Sequence, residues 1–420
     1  MRGYILLISY LYPPIWEAQS IRWYYLSKEL LNNGFKVDVV TVNTFEEYFI
    51  DIPINTFRIY PGPYEAILFK FKNKFKLEKG KDLRESSIFR ILKKIYRASR
   101  IIGNSLLLGD VRLEWFLNFI FFYYIKLKKE IKKYDYIIIS HEPLVDTLIG
   151  LFLKHMHPEI KLIADISDPI TADYYPKFWR PILKKLEYKI LQLSDIVIVT
   201  TEEIKRDYVK NYNIPKEKII VIFQGYDEEE IRYLEQTKPI SEVNDEDGLK
   251  LFYAGSFYHF RNPSNFFEAL REIPGLRFYY AGRNIEYIPK DLLKNGKIIY
   301  LGVLPHRKVL EMALNMDVVV YIANKNSTHL SGKIFEYIGL KKPILCIVYN
   351  ENDWISQLVK KYNLGIVSLN SKKEIKDSLK YLLNLKMKGV LNEKFCTNSR
   401  SEIYENFSWK TQIKKLVDRL

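Results

Sequence analysis

SGKIFEYIGLKKPIL, from Ser331 to Leu345, reads as a loop, a helix and the start of a buried strand. Ser331 is a residue type that caps helix starts, and Gly332 lets another group come close to the backbone. Phe335, Ile338 and Gly339 fall on one side at helical spacing. Lys342-Pro343 halts the helix just ahead of the apolar run Ile344–Val348. The free N–H groups of a helix start suit a phosphate. Glu336 lies one turn in, where its carboxylate can accept hydrogen bonds from two adjacent ribose hydroxyls. The plainer alternative is a helix packed on a sheet with a solvated Glu.

The same alternation recurs on both sides of this stretch. Leu249–Ala254, Leu276–Ala281, Ile298–Leu301, Val318–Tyr321 and Gly365–Val367 are expected strands with helices between them. Upstream, Tyr4–Ser9, Val37–Val42, Tyr136–Ser140, Lys161–Ala164, Ile196–Thr200 and Ile219–Ile222 read the same way, with a helix over Ser20–Asn32 stopped by Gly34. The runs are apolar throughout instead of alternating, as parallel strands covered on both faces require. Residues 229–248 are polar and acidic and read as a linker. The expectation is an α/β chain of two Rossmann-like, doubly wound domains facing across a cleft. Residues 1–228 form the first domain, 249–403 the second, and 404–420 an amphipathic terminal helix. Residues 45–130 are harder to place.

The bulk numbers agree with two domains: 420 residues with 48% apolar content. Two cysteines, Cys346 and Cys396, supply neither a disulfide framework nor a metal cluster. The opening apolar run ends in Pro-Pro without a small-residue cleavage site, so it reads as a strand and not a signal peptide. The longest apolar block, Phe116–Ile125, falls short of a bilayer span. The net charge is +15, and Lys70–Arg100 holds twelve Lys/Arg against three Asp/Glu. Phe and Lys interleave there. That pattern suits an anionic lipid surface, a solvated Lys-rich surface or, without any recognised motif, nucleic acid.

Several stretches carry residues with chemical potential. His141 follows the strand YIIIS and opens the triplet HEP, which sets it at a strand's carboxyl end. Pro13-Pro14 and Arg22 bracket a loop holding Glu17, Ala18 and Gln19. Asp165 and Asp168 stand in ADISDPITADYYPKFWRP, where paired carboxylates raise metal binding or general-base work as options. Ile219–Asp227 reads IIVIFQGYD. In the second half, FYAGSFYHFRNPSNFFEAL holds Ser256 and Arg261, and YAGRN and GVL follow at Gly282 and Gly302.

In order and spacing, these stretches together with Ser331–Leu345 resemble the retaining, family-four-like glycosyltransferases of the GT-B fold. The likeness covers nearly the whole chain except 45–110. It implies transfer of a sugar from a nucleoside-diphosphate sugar to an acceptor hydroxyl, with a glycan or lipid-linked acceptor in cell-surface polysaccharide or lipid-linked glycan synthesis. No cofactor, metal or nucleic acid is implied. It implies catalytic roles for His141 and Glu336. It implies donor contacts from Ser256, Arg261, Gly282, Ser331, Gly332, Lys333 and Glu336. Glu17, Gln19 and Asp168 would face the acceptor or the cleft. The location implied is cytoplasmic, with peripheral contact to the membrane's inner face through 70–100 as an open option. Three departures stand out. The family's glycine pair is replaced by Glu17, Ala18 and Gln19. Ser256 stands where an Arg is usual, and Thr328 where the first Glu of a Glu-x7-Glu pair is usual. Two other readings stay open: a different GT-B enzyme such as a sugar-nucleotide epimerase, and a non-catalytic nucleotide-sugar-binding partner.

Overall fold

The computed structural model describes residues 2–46, 51–67, 69–70, 108, 110–171, 176–236, 248–325, 332–395 and 401–420. The chain divides into two compact units, Met1–Phe223 with Ile413–Leu420, and Gln224–Gln412.

The first unit is built on a seven-stranded parallel sheet. In chain order its strands are β1 (Gly3–Ile8), β2 (Phe35–Val42), β3 (Asn55–Ile59), β4 (Tyr136–His141), β5 (Lys161–Ile166), β6 (Ile196–Val199) and β7 (Ile219–Val221). Their spatial order is β3-β2-β1-β4-β5-β6-β7, so the winding reverses between β1 and β4. Ile5 pairs with Val37 on one side and Tyr136 on the other. Strand residues such as Leu6, Ile8, Ile137, Ile139, Leu162 and Ala164 are buried and join helix residues Trp115, Phe119, Ile149 and Leu183 in one core. The expected helix after β1 spans Ala18–Asn32, and Gly34 turns the chain at φ +85°. The block Phe116–Ile125 lies on a helix that starts at Glu114 and buries Trp115, Phe119, Tyr123 and Leu127 at four-residue spacing.

The second unit has a six-stranded parallel sheet: β8 (Leu249–Ala254), β9 (Leu276–Ala281), β10 (Ile298–Gly302), β11 (Val318–Ile322), β12 (Ile344–Val348) and β13 (Gly365–Leu369). The order is β10-β9-β8-β11-β12-β13, with the reversal between β8 and β11. Open parallel sheets bind ligands beyond the strand carboxyl ends at such reversals. The fold therefore singles out the loops after β1 and β4, and those after β8 and β11.

Two expectations need correction. A helix, Glu228–Glu235, stands where a linker was expected from 229. Asp227 caps it by accepting the Glu230 N–H at 2.7 Å, and Ile231 and Leu234 are buried one turn apart. The helix in SGKIFEYIGLKKPIL spans Lys333–Gly339, and its N-cap position falls on Gly332. Ser331, expected as the cap, lies outside the described residues. So do Thr328, Cys396 and, apart from Lys70, the basic segment 70–100.

Within the expected terminal segment 404–420, a helix spans Trp409–Val417. Its later residues are part of the first unit, where Ile413 and Leu416 are fully buried. Lys415 Nζ donates to the Val221 carbonyl at 3.0 Å, Arg419 donates to the Glu217 carbonyl at 3.0 Å, and the Tyr136 hydroxyl donates to the Leu420 carbonyl. Burial pulls the Lys415 ammonium down to about 8, with nearby Arg22 adding to the effect against Glu202. No helix of the described residues is long and apolar enough to cross a membrane.

Candidate functional site

In the second unit the loops at the β8/β11 reversal bring two cations together. Arg261 lies on the loop after β8. Its Nε donates to Oδ1 of Asn324, just after β11, at 2.8 Å. The Lys325 N–H donates to the Phe260 carbonyl at 2.7 Å, tying the same two loops. Lys333 opens the helix before β12 and sends its ammonium to Gly255: a Cβ built on Gly255 would stand 3.1 Å from Nζ. Gly255 has φ +143°, a conformation that favours glycine. Gly282, at the end of β9, comes closer still, since a Cβ there would lie 1.9 Å from the Gly255 carbonyl oxygen. Arg261 and Lys333 therefore share a site floored by bare backbone. Burial lowers the Lys333 pKa, Arg261 lowers it further, and Glu336 opposes them. Among the described residues no hydrogen bond or ion pair reaches Lys333 Nζ. Two like charges that act on each other in this way favour an anion beside them.

Glu336 stands one turn beyond Lys333. Its Oε1 is 2.6 Å from His306 Nε2, and both side chains are largely shielded from solvent. His306 was not anticipated from the sequence. It opens helix His306–Leu314 after the Gly302 turn, thirty residues from Glu336. Burial pulls the His306 pKa down, but Glu336 and then Glu230 outweigh it against Lys333, and the net shift is upward. Gly332 is backed by Gln224, whose Cγ would be 3.2 Å from an added Cβ. Gly339 presses on Tyr226 and Ile231, where a Cβ would meet Tyr226 Cγ at 2.4 Å. Behind the glycine floor Tyr253, Phe257 and Tyr280 stack with centroids 4.9 and 4.6 Å apart. Ser256 sits half-buried at the end of β8, with its carbonyl accepting from the Tyr253 hydroxyl at 3.4 Å.

In the first unit the β1/β4 reversal carries His141 at the end of β4. The imidazole is fully buried. Its Nδ1 is 3.0 Å from Thr147 Oγ1, and its Nε2 has no hydrogen-bond partner. Burial lowers its pKa to about 4, with Arg112 helping and Asp168 and Asp110 opposing. The group is a neutral imidazole at pH 7, with one ring nitrogen uncommitted. Asp168 is half-buried nearby. Asp110 holds Arg112 through two contacts, at 2.6 and 2.9 Å, and accepts the Leu144 N–H at 3.2 Å.

Gln19 and Asp165 belong to a different, buried cluster. Arg22 forks onto both oxygens of Asp165 at 2.8 and 3.1 Å. Trp23 Nε1 donates to Oδ2 at 2.8 Å and Gln19 Nε2 at 3.2 Å. Gln19 Nε2 also reaches Ser140 Oγ at 2.8 Å and the His141 carbonyl at 3.1 Å. The loop expected to face the acceptor thus spends Gln19 on holding β4 and β5. Glu17 is exposed at the N-cap position of helix Ala18–Asn32 and makes no side-chain cap bond.

The two histidines titrate in opposite directions, which NMR can read. The His141 ring protons are expected to shift near pH 4, and those of His306 above the ordinary 6.5. For stability the signs differ too. His141 should cost stability as pH falls from 6.5 toward 4, because the unfolded chain binds that proton more readily. His306 contributes below 6.5, and its contribution fades as pH rises through its folded value. A His141 resonance titrating near 6.5 would contradict the buried, neutral assignment.

Comparison with known proteins agrees with this fold. Residues 107–230 match the model of Glycosyltransferase Family 4. That match covers under a third of the chain, while the GT-B fold extends over all of it. It superposes on a glycosyltransferase from Rickettsia africae with TM-score 0.62 and 13% identity, over 99% of this chain and 97% of that one. Anabaena HepE in complex with UDP gives 0.58 at 11% identity, over 99% of both chains. The UDP-GlcNAc 2-epimerase of Neisseria meningitidis bound to UDP-GlcNAc gives 0.52 at 14%, over 99% of this chain and 98% of that one. No curated protein matches the sequence. The chain thus has a fold that transferases and epimerases share, with a stretch similar to Glycosyltransferase Family 4 over residues 107–230.

Proposed function

We propose that the protein is a retaining glycosyltransferase that moves a sugar from a nucleoside-diphosphate sugar to an acceptor hydroxyl, on a glycan or a lipid-linked glycan. One observation carries the reading: Arg261 and Lys333 meet over the bare backbone of Gly255 and Gly282, with the Glu336 carboxylate one turn away. A leaving diphosphate develops charge on its oxygens, and preorganised cations on a water-poor backbone floor stabilise it. In this reading Arg261 and Lys333 meet that charge, Ser256 adds one donor, and Gly282 and Gly332 allow close approach. Glu336 accepts from the ribose hydroxyls. His141 Nε2, buried and uncommitted, contacts the transferred sugar. Asp168, beside it, tunes that contact. Glu17 is left as an exposed acceptor-side group. Retention rests on the resemblance to family four.

The test uses purified protein with UDP-, GDP- and dTDP-sugars, followed by NMR of the sugar. Sugar transfer only when an acceptor is added supports the proposal. A new epimer formed from donor alone would replace it with an epimerase reading. Binding without any turnover would indicate a non-catalytic partner. His141→Ala should lower kcat about tenfold or more while leaving nucleotide affinity nearly unchanged, because only one sugar contact is removed. An equal loss in both would place His141 elsewhere.

A further inference from the structure

Helix Glu114–Phe122 and its continuation to Glu130 have a second face that the core does not use. Leu117, Phe121, Tyr124 and Ile125 are exposed by 72, 69, 51 and 58%. They lie at i, i+4, i+7 and i+8, so they form one stripe opposite the buried Trp115, Phe119, Tyr123 and Leu127. The stripe runs on into Lys128, Lys129 and Lys132, all exposed. The acids of this region are already engaged. Asp110 holds Arg112, Glu114 accepts the N–H groups of Tyr64 and Glu65, and Glu130 pairs with Lys133. Helix Leu144–Met156 packs against this helix and against Arg180–Leu193, so the three form one outer layer of the first unit. The far helix repeats the pattern, with Ile182 and Tyr188 exposed beside Lys184, Lys185 and Lys189. Its one acid, Glu187, faces inward and takes the hydroxyls of Tyr208 and Tyr212.

From this layer we propose that the first unit docks on an anionic lipid surface, with Leu117, Phe121, Tyr124 and Ile125 seated among the acyl chains and Lys128, Lys129 and Lys132 on the headgroups. Four large apolar side chains in a row are costly to hold in water, and an amphipathic helix lying in a membrane interface removes them from it. Charge complementarity selects the partner. Lysines at the end and flank of an apolar stripe fit a surface that is oily beneath and negative on top. A neutral protein groove would leave those lysines unanswered. The proposal does not depend on the sugar-transfer reading.

Co-sedimentation of the full chain with vesicles tests it. Binding is expected with an equal mixture of phosphatidylcholine and phosphatidylglycerol, and little with phosphatidylcholine alone. Phe121→Ser with Ile125→Ser, and separately Lys128→Glu with Lys132→Glu, should each weaken binding by about tenfold or more. Met387→Ser, at an exposed apolar site in the second unit, should leave it unchanged. Thermal melting checks that the exposed substitutions leave the fold intact. Equal binding to neutral vesicles, or anionic binding indifferent to both pairs, overturns the proposal. So does a dimer that Phe121→Ser dissolves while no variant pellets with vesicles, since the occupant would then be a second copy of the chain.

Discussion

Asp165→Ala is expected to lose about 3–5 kcal/mol of unfolding free energy, the usual result of removing one partner from a buried ion pair. Arg22 and Asp165 are both fully shielded, and the carboxylate accepts from Arg22, Trp23 and Gln19 together. Deleting it leaves a buried guanidinium with, among the described residues, the Phe223 carbonyl as its remaining acceptor. Urea unfolding followed by tryptophan emission reads the effect, since Trp23 belongs to the cluster. With a slope of about 1–3 kcal/mol per molar urea, the midpoint should fall by roughly 1 M or more. Arg22→Met combined with Asp165→Leu should recover much of the loss, because a packed apolar pair carries no stranded charge. A midpoint for Asp165→Ala close to that of the parent would mean the cluster contributes little.

The second large effect concerns the donor site. Arg261→Ala and Lys333→Ala should each remove a charge-assisted contact worth about 1.5–3 kcal/mol, so nucleoside-diphosphate affinity should fall roughly 10- to 100-fold in each. Calorimetric titration with the diphosphate and with the bare nucleoside separates this from a general loss of fold. Nucleoside affinity should barely change. Equal weakening of both ligands would refute a diphosphate role. The two variants should also be non-additive, because each cation raises the cost of holding the other. In Arg261→Ala, the Lys333 ammonium, now depressed by burial and Arg261, should titrate higher.

Much of the fold was legible because both sheets are parallel and covered on both faces. β8, β9 and β12 lie where their apolar runs place them. β3 was not found: NTFRI is a half-buried edge strand with three polar residues, and no apolar run marks it. Helix Glu228–Glu235 hid behind three consecutive glutamates, which solvate one face while Ile231 and Leu234 bury the other. At the sites, the strand ends and the glycines were readable, since short-range spacing announces them. Long-range partnerships were not. His306 meets Glu336 from another helix, and Gln19, Arg22 and Trp23 converge on an Asp more than 140 residues away. A histidine opening a helix just after a glycine turn was the one local hint of His306.

The return of Ile413–Leu420 to the first unit sets an order on how the protein can be made. A ribosome finishes β1 to β7 long before it reaches the residues that bury Ile413 and Leu416 beside them and give Val221 and Glu217 their donors. Until those last residues emerge, the earlier half waits with an apolar seat open, in the company of a second unit already free to fold. Nascent chains stalled before residue 413 should therefore be cut by protease within the earlier half more readily than released protein.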